Sequence, residues 1–201
     1  MRWLTLYLRS RRVPMALITA GGCAALMWSL WSVFSDNRTV AVQMVVLTLL
    51  LMVAALTATL GGPDDAVEKT AAFSWLPRRI AHLVAAFLIV VVLLLATLAT
   101  GARFGPAWLV VRDAAGLLGL TALCAATMGT ARAWFLPLGW TLVAIISPLP
   151  EPVAGRILTW QAQAPASTAA AVTAGLLAFG GLIAYAVAGP ARSAPAEAAQ
   201  Q

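Results

Sequence analysis

The residues able to do chemistry are few and lie in three places. The first is the stretch GGPDDAVEKTAAFSWLPRR at 61–79, where Asp64, Asp65, Glu68 and Lys69 precede Phe73, Trp75 and the basic pair Arg78 and Arg79. Exposed aromatic side chains in a charged frame suit docking to a protein partner; they also suit anchoring at a membrane interface. The second is Arg112–Asp113. Neighbours on a helix do not face one another, so this pair is expected to engage other helices or a substrate's polar head, as an outer gate, or to fix a helix end at the interface. The third is the N-terminal series Arg2, Thr5, Arg9 and Arg12, spaced along one helical face opposite Trp3, Leu4, Tyr7 and Leu8. Such a segment lies in the membrane interface with its arginines toward anionic headgroups.

Other reactive groups are sparse. His82 is the only histidine, beside Arg78 and Arg79, and reads as an interfacial residue. Cys23 and Cys124 sit in apolar runs without CxxC spacing and read as small buried residues. No serine stands in a GxS-type setting near a histidine, and no set of histidines or carboxylates has metal-ligand spacing. Neither GxxxxGKS nor GxxxxGKT occurs, so ATP hydrolysis is not expected of this chain. The expectation is a protein that is not an enzyme and has no metal or cofactor of its own.

The elements that must position these residues follow from composition. The chain is 62% hydrophobic and 10% charged, against about 25% charged in soluble domains. That deficit places it in lipid. Charge-free intervals of roughly 20 residues, the length of a membrane-crossing helix, predict six spans at 13–34, 40–60, 80–100, 114–130, 133–148 and 168–189. The first is too long for the apolar part of a signal peptide and is expected to be retained. None of these intervals holds Asp, Glu, Lys or Arg. A proton relay inside the membrane is therefore not expected, and the chain is either passive or driven by a partner.

The net charge of +6 reflects topology rather than nucleic-acid binding. With both termini in the cytoplasm, nine basic residues lie inside (Arg2, Arg9, Arg11, Arg12, Lys69, Arg78, Arg79, Arg132, Arg192) and four outside (Arg38, Arg103, Arg112, Arg156). That bias fixes the orientation in an inner or plasma membrane. Residues 1–189 then form one transmembrane domain, and the Pro/Ala-rich tail 190–201 is expected to be disordered in the cytoplasm. The external segment 149–166 fits either an exposed loop, with Gln161 accessible, or a short helix dipping into the outer leaflet. Small residues make close-packing faces on the fourth span (Gly116, Gly119, Ala122, Ala126, Gly129) and the first (Ala16, Ala20, Ala24), used within the chain or between subunits.

In layout the chain resembles the membrane subunits of type 2 ABC transporters, mostly exporters. The residues that carry the likeness are DDAVEKT at 64–70, a Glu-centred loop motif, and LPRR at 76–79 entering the third span. RDAAGLLG at 112–119 and AWFLP at 133–137 are similar to a pattern of actinobacterial members. The resemblance implies that 64–76 is a coupling helix seated on a separate ABC-type ATPase subunit, with Glu68 its central charge and the N-terminal helix bracing it. It implies that ATP and Mg²⁺ are bound by that partner, and that two permease subunits, identical or homologous, enclose a path mainly between the first, second and fifth helices. The apolar spans loosely suit an amphipathic or hydrophobic cargo. Two other readings stay open: a substrate-binding membrane subunit of an energy-coupling uptake system, and a membrane scaffold without transport. Few polar groups are expected to converge near the outer face, which weighs against the former.

Overall fold

The structure, a computed structural model, describes residues 12–61, 75–146 and 153–191. Arg2 and Arg9 of the expected interfacial helix, loop residues Asp64, Asp65, Glu68, Lys69 and Phe73, and the tail from 192 lie outside the described residues. Within them the chain is helical and forms no sheet. The helices are α1 (Val13–Phe34), α2 (Val42–Thr57), α3 (Leu76–Ala96), α4 (Ala107–Met128), α5 (Phe135–Ile146), α6 (Val153–Leu158) and α7 (Thr168–Ala188). Four segments are long and apolar enough to cross a membrane: α1, α3 with its 3-10 extension to Ala99, α4 and α7. At 1.5 Å per residue, the 16 residues of α2 and 12 of α5 fall short of a hydrocarbon core about 30 Å thick.

The hydrogen bonds between helix ends sort the bundle into two ends. At one end Thr59 and Leu60, closing α2, meet His82 of α3 and Tyr185 of α7. At the other, Trp28 of α1 donates to Thr100 after α3, and residues 38–40 pair with Arg103 through Val40 N–H and Arg103 N–H. Arg112, early in α4, reaches the chain leading into α7 at this same end. The helices α1, α2, α3, α4, α5 and α7 therefore alternate in direction.

Helix α4 is the axis, buried over most of its length. Its Gly119 and the Gly181 of α7 face one another so closely that a Cβ on Gly181 would fall on the Gly119 carbonyl. A Cβ on Gly119 would strike the backbone of Leu177 and Ala178. Lipid tails are as apolar as leucine, so helices in a bilayer gain little from burying apolar surface and gain instead from dense backbone-to-backbone packing. The alanine row of α1 serves the same purpose within the chain. Ala16, Ala20 and Ala24 are buried while Met15, Ile18, Val33 and Phe34 are exposed, and α1 packs chiefly on α2.

Two helices begin earlier than their charge-free intervals predict. Pro77 sits in the first turn of α3, where a missing N–H costs least. Leu76 thus belongs to α3 rather than to a loop helix, and Arg78 and Arg79 enter the helix. Helix α4 starts at Ala107, after Gly105 (φ 63°) and the capping Pro106. Arg112 and Asp113 consequently lie in its second turn. Charges are present inside two of the apolar helices, a correction to the expectation of none.

Residues 153–162 hold a short exposed helix followed by a buried turn. Helix α6 and the 3-10 turn Trp160–Ala162 fold back against α5 and α7. Trp160 is fully buried, its ring edge seated over Gly116. Gly116 lies nine residues into α4, about 13 Å along the axis. Gln161, expected to be accessible, is completely buried.

The glycine contact gives a matched comparison. Nothing stands within 4 Å of a Cβ on Gly180, one residue from Gly181. Gly181→Ala should lower stability by about 3 kcal/mol, the upper range for overpacking against backbone that cannot yield. Gly180→Ala should be neutral or stabilising by up to about 1 kcal/mol through helix propensity. Thermal unfolding in detergent reads both; equal midpoints would refute the contact.

Candidate functional site

Polar groups gather at both ends of the bundle. At the α1 C-terminal end the centre is Arg112. Its Nε donates to Asp113 Oδ1 at 2.8 Å, its Nη1 to the Ala164 carbonyl at 2.9 Å and its Nη2 to the Gln163 carbonyl at 3.1 Å. Both side chains are essentially inaccessible, at 1% and 0%. The pair therefore does not behave as adjacent helical residues usually do. The long arginine folds back so that its Nε meets the short carboxylate beside it, and its two terminal nitrogens grip the chain entering α7. Arg112 and Asp113 form a buried latch at this end.

The gripped chain is itself knit together. Gln163 Nε2 donates to the Arg156 carbonyl at 2.6 Å, and Ser167 Oγ donates to Gln163 Oε1. Ser167 also caps α7 by accepting from Ala170 N–H at 3.3 Å. Asp113 Oδ2, Trp160 Nε1 and both amide atoms of Gln161 are buried without a hydrogen-bond partner among the described residues. Buried polar atoms of this kind bond to water or to a polar solute. Contrary to expectation, polar side chains do converge at this end: Arg112, Asp113, Thr159, Gln161 and Gln163 are all buried.

At the opposite end the centre is the set of residues that flank 62–74. Thr59 Oγ1 donates its one hydrogen to the Leu56 carbonyl at 2.7 Å and so must accept from His82 Nε2, 2.9 Å away. Tyr185, fully buried in α7, donates to the Leu60 carbonyl at 2.6 Å. Arg79 Nη1 donates to the Ala186 carbonyl at 3.4 Å. Gly189, with φ 71°, ends α7 where a side chain would collide with the Arg79 guanidinium. Gly61 rests on Thr130, in the turn after α4. The residues on both sides of 62–74 are thus fastened among α2, α3 and α7.

The chain matches no protein-family profile, no curated protein and no solved structure.

Of the loop residues, Trp75, Arg78 and Arg79 are described. Trp75 is half-buried rather than exposed, with the Arg78 guanidinium 5.1 Å over its ring. Arg12 adopts a left-handed turn (φ 54°) just before α1. No group of three or more His, Cys, Asp or Glu that could hold a metal occurs among the described residues. Sequence reasoning missed Tyr185, Trp160, Gln161 and Gln163. A signal existed for Tyr185: a tyrosine inside an apolar helix takes a hydrogen-bond partner when buried.

The latch makes a measurable claim. Removing one partner of a buried ion pair strands the other, at about 3–5 kcal/mol. Arg112→Met and Asp113→Leu should each cost about that much, and the double variant clearly less than the two combined. Unfolding free energies in detergent give the cycle; strict additivity would contradict a direct pair.

Proposed function

We propose that this chain is the permease subunit of an ATP-driven transporter of the type 2 ABC kind. In this reading six helices cross the membrane and both termini are cytoplasmic, so the Gly61–Arg79 end faces the cytoplasm. The supporting observation is the anchoring of both exits of the 62–74 loop in three helices. A force applied to that loop by a partner would move α2, α3 and α7 rather than the loop alone. The ATPase subunit binds ATP and Mg²⁺, the loop carrying Glu68 docks on it, and a second permease subunit completes the path. The cargo is an amphipathic or hydrophobic compound moved outward.

One observation favours a second reading. The buried Asp113, Trp160 and Gln161, with their unpartnered polar atoms, would suit a small polar solute held by an uptake subunit. In that case the latch end, not the loop, binds the cargo.

Co-purification with an ABC-type ATPase tests the first reading. Glu68→Ala and Arg78→Ala should weaken the complex or cut its ATP turnover; if both variants leave assembly and turnover unchanged, the loop is not the coupling element. For orientation, Ser74→Cys should label from the cytoplasm and Ala166→Cys, at an exposed position, from outside. The opposite pattern would overturn the proposed topology.

A further inference from the structure

The turn Trp160–Ala162 is enclosed by the bundle, yet its side chains are not bonded to it. It lies against α2, α5 and α7, while no residue of the preceding α6 is buried. Its backbone closes on itself, Ala162 N–H donating to the Thr159 carbonyl at 2.9 Å and Gln163 N–H to the Trp160 carbonyl at 3.4 Å. Bonds from the helices flank it. Trp140 Nε1 donates to the Leu158 carbonyl at 2.8 Å, and Arg112 grips the carbonyls of Gln163 and Ala164. Between these grips Gln161 is fully buried, and neither atom of its amide has a partner among the described residues. Trp160 Nε1 and Asp113 Oδ2 are in the same condition. Buried polar groups are nearly always paired, because an unpaired one bears its whole desolvation cost.

Against that cost stands the seat of the indole. The ring edge of Trp160 lies on Gly116 of α4, where a Cβ would strike it, and Ala174 of α7 meets the same glycine. The seat is therefore made by missing side chains. The indole's fit and the Arg112 bonds favour the buried turn. Hydration of the Gln161 amide, the Trp160 N–H and the Asp113 carboxylate favours its withdrawal. Opposed terms at one short turn, beside an exposed helix, are what an element with two positions needs.

We propose that the turn Trp160–Ala162 is a reversible plug. Closed, its indole fills the slot between Gly116 and Ala174. Open, the turn swings out with α6, the unpaired polar groups meet water, and the slot between α4 and α7 is uncovered at the latch end. The Arg112 bonds to residues 163 and 164 are exchanged for water on opening and remade on closing. This motion requires neither an ATPase partner nor a particular membrane orientation, so it stands apart from the transport reading.

A charged thiol reagent tests the plug, applied to the full chain in lipid nanodiscs with Cys23 and Cys124 replaced by alanine. Ala174→Cys places a thiol at the slot, and intact mass follows its modification by sulfonatoethyl methanethiosulfonate with time. Ala125→Cys is the control, a fully buried position near the other end of α4 that reacts only on global unfolding. The thiol at 174 should react at least about tenfold faster than that at 125, because local opening costs less than unfolding. Gln161→Leu removes the unpaired amide and so favours the closed plug. It should slow the reaction at 174 about tenfold, the worth of one unpaired buried polar group. Should that variant fail to fold, Gln161→Met has the same expected direction; should Ala174→Cys fail, Thr159→Cys reports from a buried position beside the turn. An internal water bonded to the amide reverses the sign, and Gln161→Leu would then leave the rate unchanged or raise it. That result would overturn the plug, as would equal rates at 174 and 125.

Discussion

Everything in this bundle is hung on the contact between two backbones. Gly119 of α4 and Gly181 of α7 meet where neither has a side chain, and no larger residue fits either position. In water such a contact would be one among many hydrophobic ones. In a bilayer, where apolar burial between helices gains little, close backbone approach supplies much of the association. It fixes α4 as the buried axis and sets α7 beside it. The return segment 153–167 and the base of the 62–74 loop then have fixed surfaces to pack on.

The two ends use that axis differently. At one, the charges of Arg112 and Asp113 are neutralised against each other and against carbonyls of the entering chain. The geometry satisfies a buried arginine and turns a liability into a latch. At the other, the fastening joins Thr59 to His82, Tyr185 to the Leu60 carbonyl and Arg79 to the Ala186 carbonyl. These bonds join helices distant in sequence on either side of residues 62–74. The packed pair α4 and α7 runs from one set to the other.

Much of this architecture was legible in the sequence because lipid imposes strong rules. The helical class, the apolar segments and the small-residue faces of α1 and α4 follow from composition and spacing. Ala16, Ala20 and Ala24 turn inward as their i, i+4 spacing implies. What was not legible depended on three-dimensional compensation. Reading charges as span boundaries put Arg112 and Asp113 outside α4, because nothing local reveals that carbonyls at 163 and 164 will accept from the guanidinium. The same limit hid the burial of Trp160 and Gln161, whose segment reads equally as an exposed loop or a short dipping helix. Tyr185 was passed over because its partner lies 125 positions away.

The central proposal is that a partner acting on residues 62–74 moves the bundle through the helices that flank them, and Tyr185 tests it most directly. Tyr185→Phe removes the bond to the Leu60 carbonyl while keeping the buried ring, a loss of about 1 kcal/mol. The measurement is cargo moved per ATP hydrolysed, in vesicles containing this chain and the ATPase subunit proposed as its partner. The account predicts normal assembly and ATP turnover with cargo per ATP reduced about fivefold, the equivalent of that energy. A wild-type ratio in the Phe variant would contradict it.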